Sequence, residues 1–240
     1  MSKFPALFAT IAILVVLSFV GCGGSGGDIL TTNDDAMSTD VAAVTDTPMQ
    51  ISDQLISGLR QEMAKNLSNP ITYLEGAKGL TPRFNYMNGD YEMLRGSNIS
   101  AHVTTWSDPV SANLGDIVAV VLYYHNGTAN TTAENTRVRL SLPVTTTNAM
   151  VSRVWSDSTP VITNTVVGSK LVGKSGLSIT TPSPYHLRYL WGSTQLYKNG
   201  ATAPVAMPNG ITSKAGLNVG DVQGCWQYTG FVVCQFRVIK

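Results

Sequence analysis

From about residue 84 onward, apolar residues recur with a period of two, and this limits the chain to extended structure. Thr136–Leu142 alternates cleanly, with Val138, Leu140 and Leu142 on one face and Arg137, Arg139 and Ser141 on the other. Asp116–His125 is apolar on both faces, which predicts a strand covered on both sides. Ile99–Trp106 is threonine-rich and predicts a further strand. Others are expected near 149–155, 160–167, 186–191, 217–223 and 231–239, separated by Pro, Gly, Asn and Ser clusters. No helical period follows residue 80. The expected fold is therefore all-β, an antiparallel β-sandwich over residues 84–240. Asn113-Leu-Gly-Asp116 and Asn218-Val-Gly-Asp221 are similar tetrapeptides and are expected to be turns, with glycine supplying the unusual φ.

The period changes upstream. Ile51, Leu55, Leu59, Met63 and Leu67 recur every four residues, predicting one short amphipathic helix with Ser52 as N-cap. Asn69-Pro70 ends it. Such a helix either packs on the sandwich or stalk, or joins copies of the chain. Residues 49–83 are thus a helix and its connector. Residues 22–48 hold few large apolar groups and cannot offset their ordering entropy by burial, so they read as a flexible tether.

Residues 1–21 carry Lys3 and then an almost wholly apolar run, the pattern of an export signal. Phe19-Val-Gly-Cys22 resembles a bacterial lipobox, with Phe19 where that family favours Leu. The resemblance implies cleavage before Cys22 and lipidation of its thiol. Each buried CH₂ of an acyl chain then contributes about 0.8 kcal/mol to membrane attachment. An uncleaved N-terminal transmembrane helix and a fully secreted chain are the alternatives. All three place the domain outside the cytoplasm.

Composition narrows the function. Charged residues are 13% of the chain, about half of the roughly 25% usual in soluble domains. With a net charge of +1, the chain offers no basic stripe to neutralise many phosphates, so nucleic acid is not an expected partner. His102, His125 and His186 read as packed or surface histidines. Gly23-Gly-Ser-Gly-Gly27 fits Gly-x-Ser-x-Gly only as part of a glycine-rich run in the tether, not on a strand-to-helix turn, so no nucleophile elbow is assigned. Asp108, Asp116, Asp157 and Asp221 are isolated, and no Asp-rich calcium loop is present. No catalytic residue, metal ligand or cofactor is assigned.

Four segments carry a resemblance. They are Asn113-Leu-Gly-Asp-Ile-Val-Ala-Val-Val-Leu-Tyr-Tyr-His-Asn-Gly127 followed by Asn135-Thr-Arg-Val-Arg-Leu-Ser-Leu-Pro143, then Trp191-Gly-Ser-Thr-Gln-Leu-Tyr-Lys-Asn199, then Leu217-Asn-Val-Gly-Asp221. In order and spacing they resemble the immunoglobulin-like "conserved repeat" modules of microbial surface proteins, over roughly residues 95–240. The resemblance implies an immunoglobulin-like sandwich serving as an extracellular spacer, stalk or adhesive unit. It implies no active site. A single copy here, where that family often occurs in tandem, weighs against a long stalk.

Cys225 and Cys234 flank Trp-Gln-Tyr-Thr-Gly-Phe-Val-Val. If Thr229-Gly230 is a two-residue hairpin loop, the cysteines face each other as a non-hydrogen-bonded pair. That register accepts a disulfide, which export favours. Two reduced, buried thiols are the alternative. Trp106, Trp155, Trp191 and Trp226, with Tyr123, Tyr124, Tyr189 and Tyr197, form either a sugar- or peptide-binding platform or core and edge packing. The expected protein is a non-enzymatic surface lipoprotein touching an unidentified surface protein or glycan. The alternatives are a solute- or glycan-binding lipoprotein and a subunit of a surface assembly.

Overall fold

The computed structural model describes residues 46–65, 67, 81–87, 90–143, 150–162, 165–167, 170–172 and 176–240. These residues belong to one compact unit. The signal, Cys22 and most of the expected tether lie outside them. The first element is α1 (Asp53–Lys65), then β1 (Leu94–Asn98), β2 (Val110–Ser111), β3 (Ile117–Tyr124), β4 (Thr132–Ser141) and β5 (Met150–Ser156). Next come β6 (Thr159–Ile162), β7 (Thr165–Val167), β8 (Lys170–Val172), β9 (Gly176–Leu177) and β10 (Ile179–Thr180). The chain continues through β11 (His186–Tyr189), β12 (Gln195–Lys198), β13 (Val205–Ala206), β14 (Leu217–Gln223) and β15 (Gly230–Ile239). The domain is thus mostly β with one short helix.

The larger sheet runs β1-β3-β15-β12-β13, with β11 also on β15. The second runs β14-β4-β5-β6, with β9 also on β5. Two small pairs stand apart, antiparallel β7/β8 and parallel β10/β2. Alternation along β3 explains why it is apolar throughout. Val118, Val120, Leu122 and Tyr124 join a core that also takes Val138 and Leu140 from β4, Val154 from β5 and Leu217 from β14. This core draws on both larger sheets. Ile117, Ala119, Val121 and Tyr123 point the other way and join a second core with Leu55, Leu59 and Met63 of α1. From β15, Val232, Cys234, Phe236 and Val238 likewise enter the first core, while Phe231 and Val233 enter the second.

The helix is therefore a layer on the outer face of the larger sheet. Ser52 caps it as expected, its Oγ accepting from Leu55 N at 3.4 Å. Trp106 Nε1 donates to Leu55 O at 3.1 Å. Burying each of its large apolar side chains contributes on the order of 2 kcal/mol. The segment ahead of the helix is also held. The buried Gln235 amide accepts from Met49 N at 2.8 Å and donates to Met49 O at 2.6 Å. Arg188 reaches Asp46 at 2.6 Å. The described end of the expected tether, from Asp46, thus lies against the domain.

The inward and outward faces of Thr136–Leu142 are as expected, with Val138 and Leu140 fully buried. Two expectations need correction, one of a strand and one of a turn. Ile99–Trp106 forms turns instead, because Asn98 Oδ1 takes Ala101 N at 3.1 Å and His102 adopts a φ of 55°. Asn113–Asp116 is a turn, but Asn218–Asp221 lies inside β14. There Gly220, at φ 89°, marks a break in register against β4, and Asn218 Oδ1 accepts from Gly220 N at 2.7 Å.

Candidate functional site

The expected hairpin over Cys225–Cys234 does not form. β14 and β15 belong to different sheets, and a single 3₁₀ turn (Trp226–Tyr228) joins them. Cys234 stands opposite Val120 in the first core, where burial pushes its thiol pKa up. Cys225 lies on the connection, half-buried, and both thiols are free. The register from which a disulfide was expected is therefore absent. Cys22, the expected lipidation site, lies outside the described residues.

The four tryptophans do not gather into one platform. Trp106 fastens the helix. Trp155 lies over Gly216, where a Cβ would come within 2.6 Å of the indole. Trp226 is buried and stacks on the His125 ring, centroids 4.1 Å apart. Trp191 alone is strongly exposed, at 75%. Of the tyrosines, Tyr123, Tyr124 and Tyr197 are core residues, and Tyr189 packs half-buried against the first core.

His125 is neither a surface residue nor an idle one. Its Nδ1 lies 2.7 Å from Asp90 Oδ1, and both side chains are fully buried. Asp90 Oδ1 also accepts from Tyr123 OH at 2.8 Å, and its Oδ2 from Met87 N at 2.7 Å. Burial, and then the Asp90 charge, hold the Tyr123 hydroxyl pKa well above its ordinary value. An aspartate orienting a histidine supplies two of the three members of a hydrolytic triad. Here, among the described residues, no hydroxyl meets His125 Nε2, and the pair has no exposed side-chain surface. The arrangement braces the start of the larger sheet. Sequence reading missed it because Asp90 and His125 are 35 residues apart.

The isolated aspartates staple loops. Asp116 Oδ2 accepts from Asn113 N and Asn98 Nδ2, both at 2.8 Å. Asp108 Oδ1 accepts from Ser178 N at 2.9 Å. Asp157 and Asp221 meet on Asn135, which donates to both. Among the described residues, no three His, Cys, Asp or Glu side chains are grouped to hold a metal. His102 and His186 are exposed. No helix among the described residues is long and apolar enough to cross a membrane.

Trp191 owes its exposure to a break in the larger sheet. β11 and β12 lie end to end along one side of β15, Tyr189 opposite Phe236 and Gln195 opposite Val233. Five residues, Leu190–Thr194, thus face only Cys234 and Gln235. The surplus loops outward with Gly192 at φ 77°. Ser193 closes the gap, its Oγ accepting from Gln235 N at 3.0 Å and donating to Leu190 O at 2.6 Å. Asn209 Oδ1 accepts from Gly192 N at 2.8 Å and from Tyr189 OH at 3.0 Å. The indole is carried on a fully braced backbone.

Beside this bulge runs a groove of about 540 Å³ between α1 and the sheet. Gly192 and Ser193 form part of one wall, Gln195 and Tyr197 continue it, and Asp53 and Arg60 face it from the helix. Arg60 is steadied by Thr202 O at 2.5 Å, and Tyr197 OH donates to Gln195 Oε1 at 2.6 Å. One carboxylate and one guanidinium leave the wall near neutrality. Its volume falls in the range of small-molecule sites. No family model, no curated protein and no solved structure matches the chain.

Proposed function

We propose that the chain is a non-enzymatic surface lipoprotein, anchored through Cys22, that displays an immunoglobulin-like β-sandwich as an adhesive or structural module. The observation that carries a binding role is Trp191, a large aromatic held in solvent by a braced bulge. Leaving such a side chain exposed forgoes roughly 1.5–3 kcal/mol of burial, and aromatics are favoured where one surface meets another. The sandwich reading is supported by the shared core of the two larger sheets and by the way successive long strands change sheet, β3 to β4 and β14 to β15. Action by contact rather than chemistry is supported by the sealing of Asp90 and His125 beneath the surface.

The test is the intact mass of natively expressed protein extracted in detergent without reductant, with protease shaving of whole cells alongside. A mass of residues 22–240 plus acyl chains, from a protein that shaving removes, is the expected result. A full-length unlipidated mass, or complete resistance to shaving, would overturn the anchored-display reading.

A further inference from the structure

We propose that the groove between α1 and the larger sheet binds a short free peptide of about three residues, held by its two charged ends. This goes beyond the anchored display proposed above and does not depend on it. The walls of the groove follow from the periods of their elements. On α1, Asp53, Ile56, Ser57 and Arg60 keep the i, i+3, i+4, i+7 spacing of one helix face, and all four line the groove. On β12, Gln195 and Tyr197 are two apart, so both stand on the sheet face that α1 covers. The helix stripe thus carries an acid at one end and a base at the other. At roughly 1.5 Å of rise per residue, Asp53 and Arg60 sit about 10.5 Å apart along the helix axis. An extended peptide covers that distance in about three residues.

Charge and pairing select the ligand. Among the described residues, neither Asp53 nor Arg60 enters an ion pair. The bond from Arg60 to Thr202 O positions the guanidinium and leaves it further donors for a carboxylate. Tyr197 OH occupies Gln195 Oε1, so what the Gln195 amide has left to offer is its N–H donors, suited to a peptide carbonyl. Ile56 and Pro204 add apolar surface for a side chain. A long chain adding itself as a strand needs a free backbone edge. The groove offers none at β12, which pairs with β13 on one side and β15 on the other. Recognition therefore falls to the ends, the ammonium on Asp53 and the carboxylate on Arg60. A single amino acid carries its two charges too close together to reach both.

The experiment is calorimetric titration of the full chain in detergent with tripeptides carrying Leu, Gln or Ser between two alanines. Each is used free, N-acetylated and as its C-terminal amide, with free leucine and maltotriose as controls. At least one free tripeptide should bind, and either cap should weaken it about tenfold, the scale of one hydrogen bond to a charged group. Asp53 and Arg60 are both exposed, so added salt should weaken the free form as well. Two variants separate the ends. Asp53→Asn should bind the free and acetylated forms alike while still rejecting the amide. Arg60→Gln should bind the free and amidated forms alike while still rejecting the acetylated one. A merely structural role would weaken every form together. Failure of all three free tripeptides, equal binding of free and capped forms by the parent chain, or a uniform loss in both variants would overturn the site. Leucine or maltotriose binding as tightly as the best tripeptide would overturn it too. The anchor is judged separately by mass, so a lipidated chain that binds no peptide loses only this site.

Discussion

Asp90 and His125 meet at 2.7 Å with no exposed side-chain surface on either. Removing one partner strands the other in a low-dielectric interior. Asp90→Ala leaves His125 Nδ1, Tyr123 OH and Met87 N without their acceptor and should cost about 3 kcal/mol or more, at roughly 1–3 kcal/mol for each buried group left unsatisfied. Tyr123→Phe, which removes one neutral donor from the same carboxylate, should cost about 1 kcal/mol. Urea unfolding followed by far-UV circular dichroism measures both. Equal costs would show that the carboxylate is braced by Tyr123 rather than by His125.

Stability should fall in alkali, and the sign follows from burial. Burial raises the folded-state pKa of Cys234, Tyr123 and Tyr124 above their ordinary values. Their contribution is complete below the unfolded pKa values, about 8.5 for cysteine and about 10 for tyrosine. Above those values the unfolded chain releases protons that the folded chain retains, so stability declines as pH rises. Each such group adds a slope of about 1.4 kcal/mol per pH unit until its folded-state pKa is reached. Urea midpoints from pH 7 to 11 in reductant should show the decline, and Tyr124→Phe should make it shallower above pH 10.

Two glycines should respond in opposite directions to alanine. A Cβ at Gly224 would lie 1.7 Å from Thr128 O, so the backbones must part. Gly224→Ala should cost about 3 kcal/mol or more. Gly58 lies in α1 with nothing within 4 Å of the added methyl. Gly58→Ala should stabilise by roughly 0.5–1 kcal/mol. Thermal unfolding of the two variants beside the parent decides the matter, and a destabilised Gly58→Ala would mean the helix is less regular than described.

Thiol titration separates the two late cysteines. In the folded, unreduced protein, Cys225 should react with a disulfide reagent, while Cys234 stays silent because it is buried and its thiol resists ionisation. Unfolding without reductant should expose both. If neither appears, the two are joined, and the connection around Trp226 is arranged differently.

The parts of the fold legible in the sequence are those whose signal is local. β3 is readable because a run apolar on both faces implies cover on both. α1 is readable because its four-residue spacing and Ser52 cap sit side by side. The 225–234 hairpin failed for a physical reason. Gly230 looked like the second residue of a tight turn, yet it begins β15 opposite Tyr124, where a Cβ would come within 2.3 Å of the Tyr124 hydroxyl oxygen. The glycine is there for close approach, and its own neighbourhood in sequence cannot say so. The Trp191 bulge is equally hidden, since it exists only as a mismatch of five residues against two on a distant strand. Nothing in the tryptophan spacing distinguishes the exposed indole from the three that pack.

β15 follows every other strand in the chain and yet occupies the middle of the larger sheet, between β3 and the β11/β12 pair. Both cores need its side chains. A chain that emerges N-terminus first therefore holds its earlier strands as two halves with the seam still open. Neither the helix layer nor the opposing sheet can settle until that last insertion joins residues far apart in sequence, which makes folding slow and all-or-none. Vectorial passage through a narrow channel is compatible with such an order of events, because nothing rigid can close while the seam strand is still in transit.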